Sequence, residues 1–352
     1  MQSYFHRVQA QTATRFWINN VTREETRLAI GAGARGCTQN PSFVNKMLTT
    51  PDHDERAYIY GLLDPILKSV PDDNDAQIAL QRELVKNIAK AFWPVYEESG
   101  GRDGYVSIQG DPFREDTDSI VKYAEYNCVA PNIMAKIPVT EDGLKAVGIL
   151  AAKGIPINAT EVFSVRQALD VCEVYAGATA GMANPPVIYY SHISGILDEY
   201  LQNTVKAKSI DISPDALWHA GIAAAKKTHR LTRERGYNVG FIGGGARGLH
   251  HFTEMVGADA VVTINWKGAA EDLINSNPPV VQRFTMPTPE SVIDELCAKL
   301  PDFRKAYMIG DIEPHEYEHF GPVALFRGMF EDAWKNANTL IRERRKEITG
   351  IS

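Results

Sequence analysis

The sequence has few cysteines, no excess of positive charge and no long apolar run, and each absence excludes a class of protein. Its four cysteines lie far apart and form no C-x-x-C pair, so we expect reduced thiols and no disulfide framework. No apolar run approaches the roughly 20 residues that a membrane helix needs. The N-terminal segment also lacks the apolar core of a signal peptide. We therefore predict a cytoplasmic protein that neither crosses nor binds a membrane.

The charge balance narrows the choice of partner. The 37 basic residues are outnumbered by 44 acidic ones, and the net charge of −7 argues against nucleic acid as a ligand. Any site for an anion must therefore be local.

No Walker-type phosphate loop is present. The adjacent residues His250 and His251 face different directions on a predicted helix, so we predict no metal site there and no bound cofactor.

Eight short apolar segments alternate with helical patterns, and this alternation predicts the fold. Parallel strands joined by crossover helices form either an open doubly wound sheet or a closed barrel. Eight repeats favour the closed form, so we predict an α/β protein with one (β/α)8 TIM barrel domain over residues 1–352. The open sheet stays an alternative, because periodicity cannot show closure. The predicted strands are 14–19, 34–40, 105–110, 132–138, 156–163, 185–193, 238–247 and 259–265.

The remaining segments predict additions to this barrel. The intervals 41–104 and 198–237 indicate helical excursions, and a C-terminal helix is predicted over 322–346. The proline-rich segment 271–320 has no clear assignment from its pattern.

One lysine is prominent among the predicted strand ends. Catalytic residues of such barrels lie at the C-terminal ends of the strands, and here these ends are crowded with polar residues. Lys136 alone brings an amine to this rim, inside the apolar run 132–138. A lysine in such a strand usually extends its amine to solvent. If the amine is instead buried, desolvation lowers its pKa. A neutral amine attacks ketones and aldehydes to form a Schiff base, which suits an aldol reaction on a carbonyl sugar.

Two motifs around this lysine resemble those of the transaldolase family of class I Schiff-base aldolases. The segment "GCTQNPSFVNK" (36–46) is similar to the family's Thr-Asn-Pro-Ser segment, and "AKIPVTEDGLKAVGILAAKGIPINATEVFSVRQA" (135–168) is similar to its Schiff-base block. Weaker similarity extends to "SHISGILDEY" (191–200) and "IGGGARG" (242–248). The resemblance implies a TIM barrel, no cofactor and a small-molecule sugar substrate, and such barrels commonly associate as homo-oligomers.

The resemblance also implies roles for individual residues. Lys136 would form the imine, and Thr160 would help to hold a catalytic water. The predicted substrate-binding residues are Thr38, Asn40, Asn158, Ser191 and Arg247.

The chain departs from the family pattern at three places. Asn19 occupies the position of an acid/base aspartate on the first strand, and an amide cannot accept a proton at neutral pH. Gln109 replaces a glutamate of the third strand, as in the fructose-6-phosphate aldolase branch. The sixth-strand segment lacks an arginine that binds phosphate, and His192 is the candidate replacement base. Two rival bases remain open, Glu161 and Asp111.

These features predict an enzyme that cleaves or transfers a dihydroxyacetone-type unit of a ketose, with a non-standard sugar as substrate. Arg247 is then half of a phosphate site, because the family's serine beside it reads as Gly245. Two alternatives remain. The barrel is catalytically degenerate and binds only a sugar or a partner, or the imine serves a dehydratase or isomerase.

Overall fold

The computed structural model describes residues 2–350, and its centre is a closed barrel of eight parallel strands. Each strand pairs with the next in chain order, and β8 pairs with β1. The predicted TIM barrel is confirmed, and the open sheet is wrong. The strands are β1 (Arg15–Asn19), β2 (Gly36–Thr38), β3 (Tyr105–Gln109), β4 (Ile133–Pro138), β5 (Ile157–Val162), β6 (Ile188–His192), β7 (Gly240–Gly243) and β8 (Val261–Ile264).

Helices surround the barrel and fill the long intervals between some strands. The interval 41–104 contains three helices, and 198–237 contains the end of one helix and a second long one. The helices are α1 (Tyr4–Gln11), α2 (Arg23–Gly31), α3 (Phe43–Leu48), α4 (His53–Ser69), α5 (Asp73–Glu98), α6 (Thr117–Asn127), α7 (Glu141–Ala152), α8 (Val165–Ala178), α9 (Ser194–Lys208), α10 (Pro214–Glu234), α11 (His250–Thr253), α12 (Glu271–Ser276), α13 (Glu290–Lys299), α14 (Pro301–Tyr307) and α15 (Gly321–Thr349).

Caps fix where the helices that follow the site strands begin. Thr22 and Glu25 form a capping box at the start of α2, and Ser164 and Gln167 form another at the start of α8. At α7, the Thr140 hydroxyl accepts a hydrogen bond from the Gly143 amide. A Cβ at Gly143 would clash with the carbonyl oxygen of Pro138, so only glycine lets α7 pack this closely on β4. This close packing of α7 fixes the position of β4, the strand that carries Lys136.

The barrel interior has an apolar floor and a polar mouth. The floor is a cluster of large buried side chains from six strands, Trp17, Tyr105, Met134, Tyr189, Ile242 and Val261. Because side chains of a strand alternate between faces, the inward residues two positions further along face the mouth. In β3, β4 and β6 these residues are Ser107, Lys136 and Ser191. The floor closes the lower end of the barrel interior beneath these polar groups.

The segment that had no assignment from sequence folds into α12, α13, α14 and a short 3₁₀ helix, Pro314–His319. The C-terminal helix α15 then crosses the molecule, and its residues Phe326, Met329 and Phe330 border the barrel mouth. None of the helices within residues 2–350 is long and apolar enough to span a membrane.

Candidate active site

The barrel mouth opens into a cavity of about 780 Å³, which is large enough for a sugar. Polar side chains from seven strands or their ends line it, together with apolar residues of α15. Seven of the predicted site residues border this cavity: Asn19, Thr38, Asn40, Lys136, Thr160, Ser191 and Arg247. The structure therefore brings these seven residues together around one cavity.

Lys136 is the only ionisable group deep in this cavity that is positively charged at neutral pH and unpaired within residues 2–350. Its side chain is 8% exposed, and no carboxylate there forms a salt bridge with its amine. Burial lowers the pKa of Lys136 to about 8, while the more distant Glu161 and Cys37 raise it slightly. A tenth of the amine is then neutral near pH 7, compared with less than a thousandth for a free lysine. This is the condition that a nucleophilic amine requires.

A hydrogen-bonded chain of neutral groups lies beside the amine. Register pairs Lys136 with Gln109 on one side and with Asn158 on the other. The Asn158 amide donates to the Ser107 hydroxyl at 3.2 Å, and its oxygen accepts from the Ser191 hydroxyl at 2.6 Å. These contacts fix the Asn158 amide without placing a charge near Lys136. Asn158 does not border the main cavity, but it supports Ser191, which does.

A second chain of neutral groups lines the opposite wall. The Thr38 hydroxyl donates to Asn19 at 2.9 Å and lies 2.8 Å from the Thr263 hydroxyl. The Asn19 amide nitrogen in turn donates to Asn265 at 2.9 Å. Asn40 is held by reciprocal bonds with Asn20, a residue with a left-handed φ of 44°. Asn19 thus has both of its polar atoms engaged and offers no site for a proton.

Three buried oxygen atoms near Lys136 have no hydrogen-bond partner within residues 2–350. They are Thr160 Oγ1, Gln109 Oε1 and Glu161 Oε2. Unsatisfied buried polar atoms are costly and rare, and they collect where a protein receives a ligand or a water molecule. Gln109 and Glu161 contact each other, because the Gln109 amide donates to Glu161 Oε1 at 2.8 Å. The predicted water-binding residues are therefore close to the amine and poised to accept hydrogen bonds.

Two buried glutamates and one arginine lie above this region. Arg327 of α15 pairs with Glu115 at 2.8 Å and with the exposed Glu318 at 2.8 Å. Burial raises the pKa of Glu115 well above its usual value, and the nearby Glu161 raises it further. Burial also raises the pKa of Glu161, while Arg327, Gln109 and Lys136 oppose that rise. The positive charge of Arg327 thus opposes the rise in pKa of both carboxyl groups.

Two of the other basic groups around the cavity are paired with acids. Arg247 donates to Glu199 at 2.6 Å, and Lys46 donates to Glu25 at 2.7 Å. An incoming anion would have to compete with these carboxylates. The exposed Lys267 also borders the cavity and forms no salt bridge within residues 2–350.

The sequence matches one protein family over most of this barrel. A family model described as Transaldolase/Fructose-6-phosphate aldolase matches residues 16–286. The chain belongs to this family. The predicted transaldolase resemblance is confirmed, and the identities below show that the chain is a divergent member.

Individual relatives of the family are similar at moderate identity. The transaldolase of Trichodesmium erythraeum is 30% identical over 220 residues, which are 54% of this chain and 57% of that protein. The transaldolase of Mycobacterium ulcerans is 31% identical over 244 residues, 62% of this chain and 61% of that protein. The transaldolase of Thiobacillus denitrificans is 24% identical over 332 residues, 82% of this chain and 87% of that protein. The first two alignments thus span about three fifths of those relatives.

His192 does not fulfil the role predicted for it as a replacement base. Because Ser191 faces the barrel mouth, His192 points to the opposite side of β6, toward the helices. Its Nδ1 contacts the Ser194 hydroxyl at 2.9 Å, and burial lowers the pKa of the ring to about 3. The sequence prediction did not take account of this alternation of side chains along β6. Ile193, which sequence reasoning missed, borders the cavity instead.

Asp111 is committed to a turn. One of its oxygens accepts from the Phe113 amide at 2.9 Å, and the other accepts from Asn74 at 2.9 Å and lies 3.7 Å from Arg114. These contacts stabilise the loop after β3 and engage both carboxylate oxygens of Asp111. Of the three bases considered from sequence, only Glu161 lies against a predicted site residue.

The glycine-rich turn after β7 packs against α9. Its run Gly243–Gly248 has the G-x-G-x-x-G spacing of a dinucleotide-binding turn, but the next helix, α11, has only four residues. A Cβ at Gly195 would clash with the Gly245 carbonyl, and the Gly244 amide donates to His192 at 2.9 Å. These glycines therefore serve close backbone packing.

Behind that turn, two histidines and an aspartate approach one another. His251 Nε2 lies 2.9 Å and His250 Nε2 lies 3.9 Å from the same oxygen of Asp198. His251 Nδ1 faces the Arg247 amide at 3.4 Å, so the ring proton is on Nε2 and donates to Asp198. The other Asp198 oxygen accepts from the Gly221 amide at 2.6 Å. These hydrogen bonds connect α9, α10 and α11, and they account for the cluster as a structural contact between the three helices.

Proposed function

We propose that this member of the transaldolase family is a Schiff-base enzyme that cleaves a ketose or transfers its ketol unit. The observation that supports this most is the buried, unpaired amine of Lys136 at the mouth of the barrel. A Schiff-base reaction on a sugar needs a nucleophile, neutral hydrogen-bond donors for the sugar hydroxyl groups and a place for water. The polar groups around Lys136 supply each of these.

The chemistry follows from the amine. Its lone pair attacks the ketose carbonyl carbon to form a carbinolamine, which loses water to give an iminium ion. The iminium ion draws electrons from the bond between the third and fourth carbons. That bond breaks as the hydroxyl on the fourth carbon passes its proton to a water molecule in the cavity and becomes an aldehyde. The three-carbon enamine left on Lys136 is protonated and hydrolysed, or it attacks an acceptor aldehyde.

The surrounding residues fit distinct parts of this sequence. Ser191, Thr38 and Asn40 are placed to bind sugar hydroxyls, with Asn158 fixing Ser191 through its 2.6 Å bond. Thr160 and Gln109 each present a free buried oxygen to water. These neutral groups orient the substrate without raising the pKa of Lys136.

We further propose that the preferred substrate is not a typical sugar phosphate. The reason is the pairing of Arg247 with Glu199 and of Lys46 with Glu25. A ketose without a distal phosphate does not have to displace either carboxylate. The cytoplasmic location and the homo-oligomer remain predictions from sequence.

Glu199→Gln tests this substrate preference. The substitution frees Arg247, so we expect KM for fructose 6-phosphate to fall by about 3- to 10-fold relative to KM for fructose. Glu234→Gln is the matched control, because Glu234 pairs with Arg230 on the exposed face of α10. Equal effects of Glu199→Gln on both sugars would contradict the proposed preference.

Asn19 favours a second candidate reaction. With no carboxylate at the end of β1, the iminium ion is suited to dehydration or isomerisation as well as to cleavage. Mass analysis of the products after incubation with ketoses separates these reactions, because only cleavage yields two carbon fragments. Fragments of three carbons and of the remaining chain support the leading proposal. A single product lighter by one water supports dehydration, and a product of unchanged mass but different chromatographic retention supports isomerisation.

A further inference from the structure

Glu161 is a buried carboxyl group at the site for which the family motif offers no function. It follows Thr160 directly and is completely buried. One of its oxygens accepts from Gln109 at 2.8 Å, and the other has no partner within residues 2–350. A buried carboxyl group with a free oxygen is expensive unless it acts on something nearby.

The backbone is distorted to place this side chain. The pairing of β5 with β6 shifts register between Ala159 and Val162, and Glu161 adopts a left-handed φ of 62°. In a regular strand, the residue after an inward-facing Thr160 would point out toward the helices. A left-handed glutamate costs on the order of 1–2 kcal/mol, and such strain persists where the surroundings enforce it and clusters at functional sites. The bulge therefore turns Glu161 toward Gln109.

The contact between these two residues spans the strand that carries the lysine. Strand β4 lies between β3, which carries Gln109, and β5, which carries Glu161. Gln109 also pairs in register with Lys136. A hydrogen bond from β3 to β5 must therefore pass over the end of β4, close to the amine.

Resting on the proposed function, we propose that Glu161 is a positioning residue that fixes the Gln109 amide for the water steps of imine formation and hydrolysis. A carboxylate oxygen can only accept a hydrogen bond, so Glu161 binds the amide nitrogen of Gln109 and not its oxygen. Gln109 Oε1 is then held as a free acceptor beside Lys136 and Thr160. It accepts a hydrogen bond from the water that leaves the carbinolamine or attacks the iminium ion.

Charged groups from several elements lie around Glu161. They are Lys136 on β4, Glu115 before α6 and Arg327 on α15, with Glu318 bonded to Arg327 from the 3₁₀ helix. Glu161 thus interacts through its charge both with Lys136 and with Arg327 of α15. Removing the negative charge of Glu161 should therefore change both the orientation of the Gln109 amide and the pKa of Lys136.

Glu161→Gln replaces a group that only accepts by an amide that can also donate, so it no longer fixes which end of the Gln109 amide faces it. We expect kcat for ketose cleavage to fall by about 10- to 100-fold with less than a threefold change in KM. We also expect the midpoint of the pH profile for borohydride trapping to move down, because Glu161 raises the pKa of Lys136. Glu318→Gln, which removes an exposed carboxylate from the same arginine, is the control and should leave kcat unchanged.

The exchanged pair Gln109→Glu/Glu161→Gln restores one amide and one carboxylate in the same contact and guards against misfolding of the single variant. We expect it to recover at least about tenfold of the kcat that Gln109→Glu alone loses, since that single variant brings two carboxyl groups together. If Glu161→Gln keeps the kcat and the pH midpoint of the wild type, Glu161 is only structural and the inference is wrong. A wild-type protein that traps no ketose contradicts the proposed function itself.

Discussion

Lys136→Met is expected to abolish ketose cleavage, with kcat/KM falling by at least about 10⁴-fold, because it removes the amine that forms the imine. Methionine matches the length of the lysine stem and suits the apolar surroundings of β4, so the fold should persist. The measurement is the rate of aldehyde release from a ketose at pH 8, with thermal unfolding as a check on folding.

Lys145→Met is the matched control. Lys145 lies nine residues further along on the exposed face of α7, where it pairs with Glu141 and Asp142. Its loss should change kcat/KM by less than a factor of two. Activity of Lys136→Met above about a tenth of the wild-type value would mean that the reaction does not pass through this amine.

Arg327→Met is expected to lower the free energy of unfolding by about 3–5 kcal/mol at pH 8, because it leaves buried Glu115 without its charged partner. Arg342→Met, which removes an exposed arginine of the same helix from Asp73, should cost less than about 1 kcal/mol. Chemical denaturation of both variants at fixed pH measures the difference. A loss below about 1 kcal/mol for Arg327→Met would contradict the account of the buried acids.

The pH dependence of this effect has a definite sign. The pKa values of Glu115 and Glu161 are raised in the folded protein, so folding favours their protonated forms. Their stabilising contribution is complete below the ordinary value of 4.5 and is lost as the pH rises through the folded values. Without Arg327 those folded values rise further. The destabilisation of Arg327→Met should therefore be small near pH 4.5 and full at pH 8.

Much of the fold and of the mouth could be predicted because local patterns determine them. Eight apolar segments with helical intervals specify the barrel, and the ends of parallel strands must share one rim. Lys136 was identifiable because it is an amine inside an apolar strand. Thr38, Asn40 and Ser191 were predicted as substrate-binding residues from the family resemblance, and they border the same cavity.

The rest depends on geometry that periodicity does not encode. A difference of one position along a strand reverses the face of a side chain, so His192 points away from the cavity while its neighbours Ser191 and Ile193 border it. The bulge in β5 that turns Glu161 toward Gln109 breaks the alternation altogether. The pairing of Arg247 with Glu199 joins residues 48 positions apart, and no local pattern reveals it.

Borohydride trapping across a range of pH tests the central claim most directly. The wild-type protein would be incubated with dihydroxyacetone or fructose, reduced with borohydride, digested and mapped by mass spectrometry. We predict one adduct, on Lys136, whose rate of formation rises with pH and levels off above about 8, where burial leaves the amine neutral. An adduct on another lysine, or no adduct with either carbonyl compound at any pH, would contradict the account.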